Sequence, residues 1–227
     1  MSRSGLDSVG FLGFVPLFGH IVLAAIIRFF TFPFRTVRST TLSNDVYNAA
    51  IRCAIHRITI AQSRYLYSGA SESYLAHCKK ANIAPQTVEV EGECGKIDAY
   101  WIGNPDAETV ILYLHGGGYT IGPSTVYFDY MSRLLADLND RKSRRSVGVL
   151  FVAYTLAPEG THPTQLREAV IVLSYLVTKT GRSPSEILIS GDSAGGNLAI
   201  ALLSHILHPH PGVVALKLQR ALAVALL

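Results

Sequence analysis

The chain has 227 residues, 49% hydrophobic and 16% charged, with a net charge of +4 from 20 basic and 16 acidic side chains. That length suits one domain with enough core to fold, and the apolar balance points to a membrane or lipid contact. The charge excess is small and no aromatic residues are interleaved with the basic ones, so no nucleic-acid partner is expected. Cys53, Cys78 and Cys94 lack C-x-x-C spacing, which leaves no zinc site and no disulfide framework; no metal or cofactor is expected.

Met1 to Gly10 is short and polar. From Phe11 to Ile27 only His20 interrupts an apolar run, and Phe29, Phe30, Phe32 and Phe34 prolong it to about 24 residues, where about 20 suffice to span a bilayer. No small-residue cleavage site follows, which argues against a signal peptide. Pro16, His20 and Arg28 speak against a clean spanning helix, and the competing reading is a hydrophobic helix packed at the chain's own active-site entrance. Arg3 precedes the run while Arg28, Arg35 and Arg38 follow it, an asymmetry that puts the rest of the chain on the cytoplasmic side. Residues 1–38 are read as a hydrophobic segment associating with a membrane through residues 11–34, the endoplasmic reticulum being one such membrane; a cytoplasmic location is the alternative.

Residues 39–84 read as helical. Ser43-Asn44-Asp45 is a helix start, and Val46, Ala49, Ala50, Cys53, Ala54, Ile58, Ala61 and Tyr65 recur at helical spacing, with Gly69 as a stop. A second helix covers Glu72 to Ala81. His56 and His77 read as surface or packing residues. Thr87–Glu91 and Lys96–Ile102 form a hairpin pattern. The strand Val110–Leu114, the helix Ser124–Leu138, the strand Val147–Tyr154, a helix from Pro163 to Leu176, the strand at Ile187 and a helix to about Leu207 follow. Arg141-Lys142-Ser143-Arg144-Arg145 reads as a solvated loop, with contact to anionic headgroups the sharper alternative. From residue 110 strands alternate with helices. The expected class is therefore α/β, a mostly parallel sheet with helices on both faces and the hairpin at one edge.

Two stretches carry chemistry. Gly191-Asp192-Ser193-Ala194-Gly195 stands between a strand and a helix, the setting a G-x-S-x-G elbow needs to hold its serine hydroxyl above the sheet, with a helix N-terminus beneath it favouring negative charge. His115-Gly116-Gly117-Gly118 directly follows the Val110 strand, and glycines there let backbone N–H groups approach a developing oxyanion.

With Tyr154-Thr155-Leu156-Ala157-Pro158-Glu159, these stretches resemble, in order, the motifs of the hormone-sensitive-lipase-like branch (fold-3 group) of the α/β-hydrolases, Thr155 standing where arginine is usual. The resemblance covers roughly residues 85–227, a partial hydrolase core. It implies that Ser193 is the nucleophile of a carboxylic ester hydrolase acting on a small hydrophobic ester. It also implies an oxyanion hole of Gly117, Gly118 and the Ala194 amide, with His115, Gly116, Gly191, Asp192 and Gly195 supporting the motifs. By the same resemblance the N-terminal helices of 39–84 form a cap.

A serine hydrolase also needs a base and a group to orient it. The 34 residues after Ser193 contain neither Asp nor Glu. His205 lies 12 residues along a helix, ~18 Å away at ~1.5 Å per residue, and His208 and His210 lie beyond it. His162 is the candidate substitute base. By resemblance the triad acid and histidine follow later strands, so the expectation is a hydrolase truncated at its C-terminus. The alternatives are a non-catalytic, ligand-binding descendant and an amidase or deacetylase using the same serine.

Overall fold

The computed structural model describes residues 10–93, 95–140 and 145–226; Cys94, Arg3 and all but Arg145 of the basic cluster lie outside them. The chain divides into two compact units, one ending at Leu66 and the other starting at Tyr67.

In the first unit an unbroken apolar helix runs from Phe11 to Phe34, with α1 (Val15–Thr31) as its α-helical body. The residues expected to weaken it are accommodated. Pro16 falls in the first turn, where its missing N–H has no partner to lose, and the Pro16 carbonyl lies 2.6 Å from His20 Nδ1. Phe18, Leu23 and Phe30 are all more than half exposed. Helix α2 (Leu42–Arg57) packs against α1. It is capped by Thr41, whose Oγ1 accepts the Asn44 N–H at 3.3 Å, rather than by Ser43. The long periodic stretch is also two helices. After Ile58 the chain turns extended, and Thr59 and Gln62 cap α3 (Ile60–Leu66) reciprocally, at 2.9 and 3.2 Å.

The second unit opens with α4 (Ala70–Ala81), for which Gly69 is the N-cap rather than the end of the preceding helix; Asn82 closes it in the left-handed conformation. The strands β1 (Thr87–Gly92), β2 (Gly95–Ile102), β3 (Thr109–Leu114), β4 (Val147–Ala153), β5 (Ile187–Gly191) and β6 (Val224–Leu226) form one sheet in the order β1-β2-β4-β3-β5-β6. The β1–β2 hairpin is antiparallel and supplies one edge, and β4, β3, β5 and β6 are parallel. Side chains alternate across the sheet as the pleat requires. Val110, Leu112, Leu150, Val152, Ile187 and Ile189 face α6 (Thr164–Thr178) and α7 (Ala194–Leu207), burying Leu173, Leu176, Leu198 and Leu202. Ile111, Tyr113, Val149 and Phe151 face the other way, onto Tyr74 and Cys78 of α4 and Phe128, Met131 and Leu135 of α5 (Thr125–Asp140).

The winding direction changes at β3. The connection through α5 places β4 on one side of it, and the connection through α6 places β5 on the other. The carboxyl ends of β3 and β5 therefore lie side by side, the position where open α/β sheets hold their ligands.

Candidate active site

Register assembles the site. Leu114 pairs with Gly191, so the segment after β3, His115 to Tyr119, and the segment after β5, Asp192 and Ser193, leave the sheet as neighbours. Ser193 sits at φ 49° and ψ −115°, a conformation that costs a non-glycine residue ~1–3 kcal/mol and persists only where packing enforces it. Here packing does so from both sides. A Cβ on Gly191 would lie 2.5 Å from the Gly195 carbonyl carbon, so strand and helix touch backbone to backbone. Ser193 itself is exposed, and α7 starts at the next residue.

Asp192 joins the two segments. Its Oδ1 accepts the Gly116 N–H and the Tyr113 hydroxyl, both at 2.8 Å, and its Oδ2 accepts the Tyr127 hydroxyl at 2.9 Å. Burial, with this carboxylate beside them, pushes the Tyr113 hydroxyl up and that of Tyr127 to about 12, so both keep the proton they donate. Gly116 has to be glycine because a Cβ would meet Asp192 Oδ2 at 2.3 Å. Gly117 follows at φ 113°, where its carbonyl accepts the N–H groups of Thr120 and Ile121. Among the described residues, the N–H groups of Gly117, Gly118 and Ala194 take no part in these turn and helix bonds. On the far side Tyr119 donates its hydroxyl to Asn197 Oδ1 of α7 at 2.8 Å, a second tie that the motif alone does not reveal.

His115 is a structural element of the loop. Its ring lies flat on Tyr154, 4.3 Å between centroids at 6°, and on Phe151, 5.7 Å at 4°. Its Nδ1 lies 2.6 Å from the Gly116 carbonyl, which only accepts, so the proton is on Nδ1. Burial holds this imidazole down to about 4 from the usual 6.5, against the upward pull of the Gly116 carbonyl and Asp192. The folded-state value lies below the unfolded one. The neutral ring therefore stabilises the fold fully above about pH 6.5, and that contribution fades as pH falls toward 4. Between pH 8 and pH 5 urea unfolding should show about 2 kcal/mol more destabilisation in the native sequence than in His115→Phe, which keeps the stack without titrating. Equal acid losses in the two proteins would contradict a neutral, buried His115.

The Tyr154–Glu159 stretch is held from α6. The Glu168 carboxylate accepts the Thr155 N–H at 2.7 Å and the Thr155 hydroxyl at 2.6 Å, while Gln165 Nε2 donates to the carbonyls of Thr155 and Gly160. Burial raises the Glu168 carboxyl above its usual range, and the two Thr155 bonds oppose that shift. Thr155 thus gives the loop a tie to α6.

The buried histidines are committed elsewhere. His205 Nδ1 accepts the His210 N–H at 2.9 Å and its Nε2 donates to the Val214 carbonyl at 3.0 Å, which ties down the segment after α7. His162 packs its ring edge-on against His210, 5.2 Å between centroids. His77, read from the sequence as a surface or packing residue, is buried. Its Nδ1 lies 2.8 Å from Asp129 Oδ1 and its Nε2 3.0 Å from Ser132 Oγ. These are the members of a catalytic triad, but Ser132 lies inside α5, where the neighbouring N–H groups belong to the helix ladder and no donors are left for an oxyanion. The cluster fastens α4 to α5, with Lys80 holding the second Asp129 oxygen at 2.7 Å.

Similarity to known proteins covers part of the chain. The alpha/beta hydrolase fold family matches residues 111–221. The arylacetamide deacetylase of Oryctolagus cuniculus is 34% identical over 122 residues, 51% of this chain and 29% of that protein. Lipase 2 of Moraxella sp. (strain TA144) is 32% identical over 105 residues, 45% of this chain and 23% of that protein. A solved structure, the esterase of Pyrobaculum calidifontis, aligns at 27% identity with a TM-score of 0.49, covering 66% of this chain and 48% of that one. The chain spans less than a third of the length of these two curated relatives.

Proposed function

Residues 111–221 match the alpha/beta hydrolase fold family, and on that premise we propose that the chain carries the nucleophile and oxyanion hole of a serine-dependent carboxylic ester hydrolase of the hormone-sensitive-lipase-like kind. The observation that carries the reading is the strained, exposed Ser193, at φ 49°, beside a glycine loop in which Asp192 holds the Gly116 N–H while those of Gly117 and Gly118 take no part in the turn bonds. Ser193 Oγ attacks the ester carbonyl as its proton passes to an imidazole base. The N–H groups of Gly117, Gly118 and Ala194 hold the oxyanion, each such donor contributing ~10²–10³ in rate. The alcohol leaves with the proton returned by the imidazolium, and water then releases the acid. The substrate is a small hydrophobic ester. Amide deacylation by the same serine is kept as an alternative because one relative bears the name arylacetamide deacetylase.

Because His77, His115 and His205 are held by other partners, exogenous imidazole provides the test. The purified chain alone should hydrolyse p-nitrophenyl acetate only at the residual ~10³–10⁴-fold level over water that an oxyanion hole sustains without a triad. Added imidazole should raise the rate of the native chain above that of Ser193→Ala, with peptide amides left intact. Identical rates for the two proteins at every imidazole concentration would overturn hydrolysis in favour of the second reading, a ligand-binding descendant, which the same commitment of the histidines supports. Attachment to a membrane through residues 11–34 completes the proposal, supported by the 24-residue apolar helix and its exposed phenylalanines.

A further inference from the structure

The first unit holds a cavity of about 380 Å³ between α1 and α2. Arg28 and Arg35 line it from the first helix and its extension, Arg52 and His56 from the second, and Ala24 and Ile27 form part of its apolar wall. Among the described residues one carboxylate answers these guanidinium groups: Asp45, whose Oδ2 stands 3.4 Å from Arg28 Nε. The Ser39 N–H, and after it the positive charge of Arg28 and Arg35, hold that carboxyl below its usual range, so it stays ionised and fixes Arg28 at the cavity. Three guanidinium groups against one carboxylate leave the cavity positive. None of these residues belongs to the Ser193 site.

We propose that this cavity binds a phosphate group, as carried by an anionic phospholipid headgroup or by a free phosphoester. Planar guanidinium groups match phosphate oxygens two at a time, and several converging on one cavity are the usual means of holding such an anion. The position favours the lipid. Arg28 lies 17 residues after Phe11, ~26 Å along the helix at ~1.5 Å per residue, which is close to the ~30 Å depth of a hydrocarbon core. A helix inserted from its N-terminal end brings its arginines to headgroup level there, and the apolar wall at Ala24 and Ile27 suits the glycerol and first methylenes beside a phosphate. This assignment to a lipid rests on the proposed membrane attachment; the phosphate site itself does not.

The test uses the full chain in detergent, titrated calorimetrically with dihexanoyl phosphatidic acid, dihexanoyl phosphatidylcholine and inorganic phosphate, alongside flotation with phosphatidylcholine vesicles. Phosphatidic acid should bind saturably, at least 10-fold tighter than the other two. Arg35→Gln with Arg52→Gln should weaken it by 10-fold or more, Arg52→Lys by less, and Arg57→Gln, outside the cavity, not at all. Circular dichroism verifies that the variants are folded; should the double variant unfold, Arg52→Gln alone reads the site. Inorganic phosphate competing as well as phosphatidic acid assigns the site to free phosphate. Saturable binding without flotation keeps the site and removes the anchor. Flotation without saturable binding of either phosphate compound, or binding that survives both substitutions, overturns the proposal.

Discussion

Gly195→Ala should prevent the second unit from folding, whereas Gly196→Ala, one residue on, should be tolerated. A Cβ on Gly195 would lie 1.9 Å from the Leu114 carbonyl oxygen, 2.5 Å from its carbon and 2.6 Å from the His115 oxygen. All three are backbone atoms of β3 and its loop, so no rotamer relieves the clash and α7 would have to lift off the sheet. A Cβ on Gly196 meets nothing nearer than the Gly191 oxygen at 3.3 Å, and inside a helix alanine is preferred to glycine by ~1 kcal/mol. The expected loss for Gly195→Ala exceeds ~4 kcal/mol, most of the ~5–15 kcal/mol a domain possesses. Soluble yield and urea midpoints decide it: Gly195→Ala insoluble or unfolded, Gly196→Ala within ~1 kcal/mol of the native chain. Equal midpoints would mean that α7 does not pack backbone to backbone on β3.

Asp192→Asn should leave a folded protein with little chemistry. Three donors, the Gly116 N–H and the hydroxyls of Tyr113 and Tyr127, converge on its two oxygens. Asparagine keeps one acceptor oxygen and turns an NH2 toward donors on the other side, so at least one bond becomes a repulsion, worth ~2 kcal/mol in stability. The larger effect falls on position. Gly117 and Gly118 follow directly on the Gly116 N–H that Asp192 holds, and loss of that tie should lower the imidazole-supported, Ser193-dependent ester rate ~10²-fold, as when an oxyanion donor is removed. Tyr127→Phe removes one of the three and should cost ~1 kcal/mol with a modest rate effect. A full rate in Asp192→Asn would show that the loop is positioned without it.

The features legible in the sequence are those encoded locally. The glycine run after an apolar strand and the Gly191–Gly195 elbow point to both halves of the proposed site, and the strand–helix alternation from residue 110 gives the class. The pairing of Leu114 with Gly191, which brings the halves together, is non-local, and no periodicity reports it. Asp192 reads as one more motif residue until three donors from β3, its loop and α5 are seen on its oxygens. The break at Ile58 was readable in principle, since Thr59-x-x-Gln62 is a capping box, but the apolar spacing of Ile58 and Ala61 continues the helical register across it. Thr41 and Ser43 are equally good caps by type, and only the backbone path decides between them. His77 gave no signal, because its partners Asp129 and Ser132 lie more than 50 residues away.

The central claim, that Ser193 is the nucleophile of a preformed oxyanion site, is tested most directly by a fluorophosphonate probe followed by peptide mass mapping. In the presence of imidazole the native chain should gain one phosphonyl group, located on Ser193, and Ser193→Ala should gain none. Labelling that persists in Ser193→Ala, with Ser132 beside His77 the first place to look for it, would contradict the account.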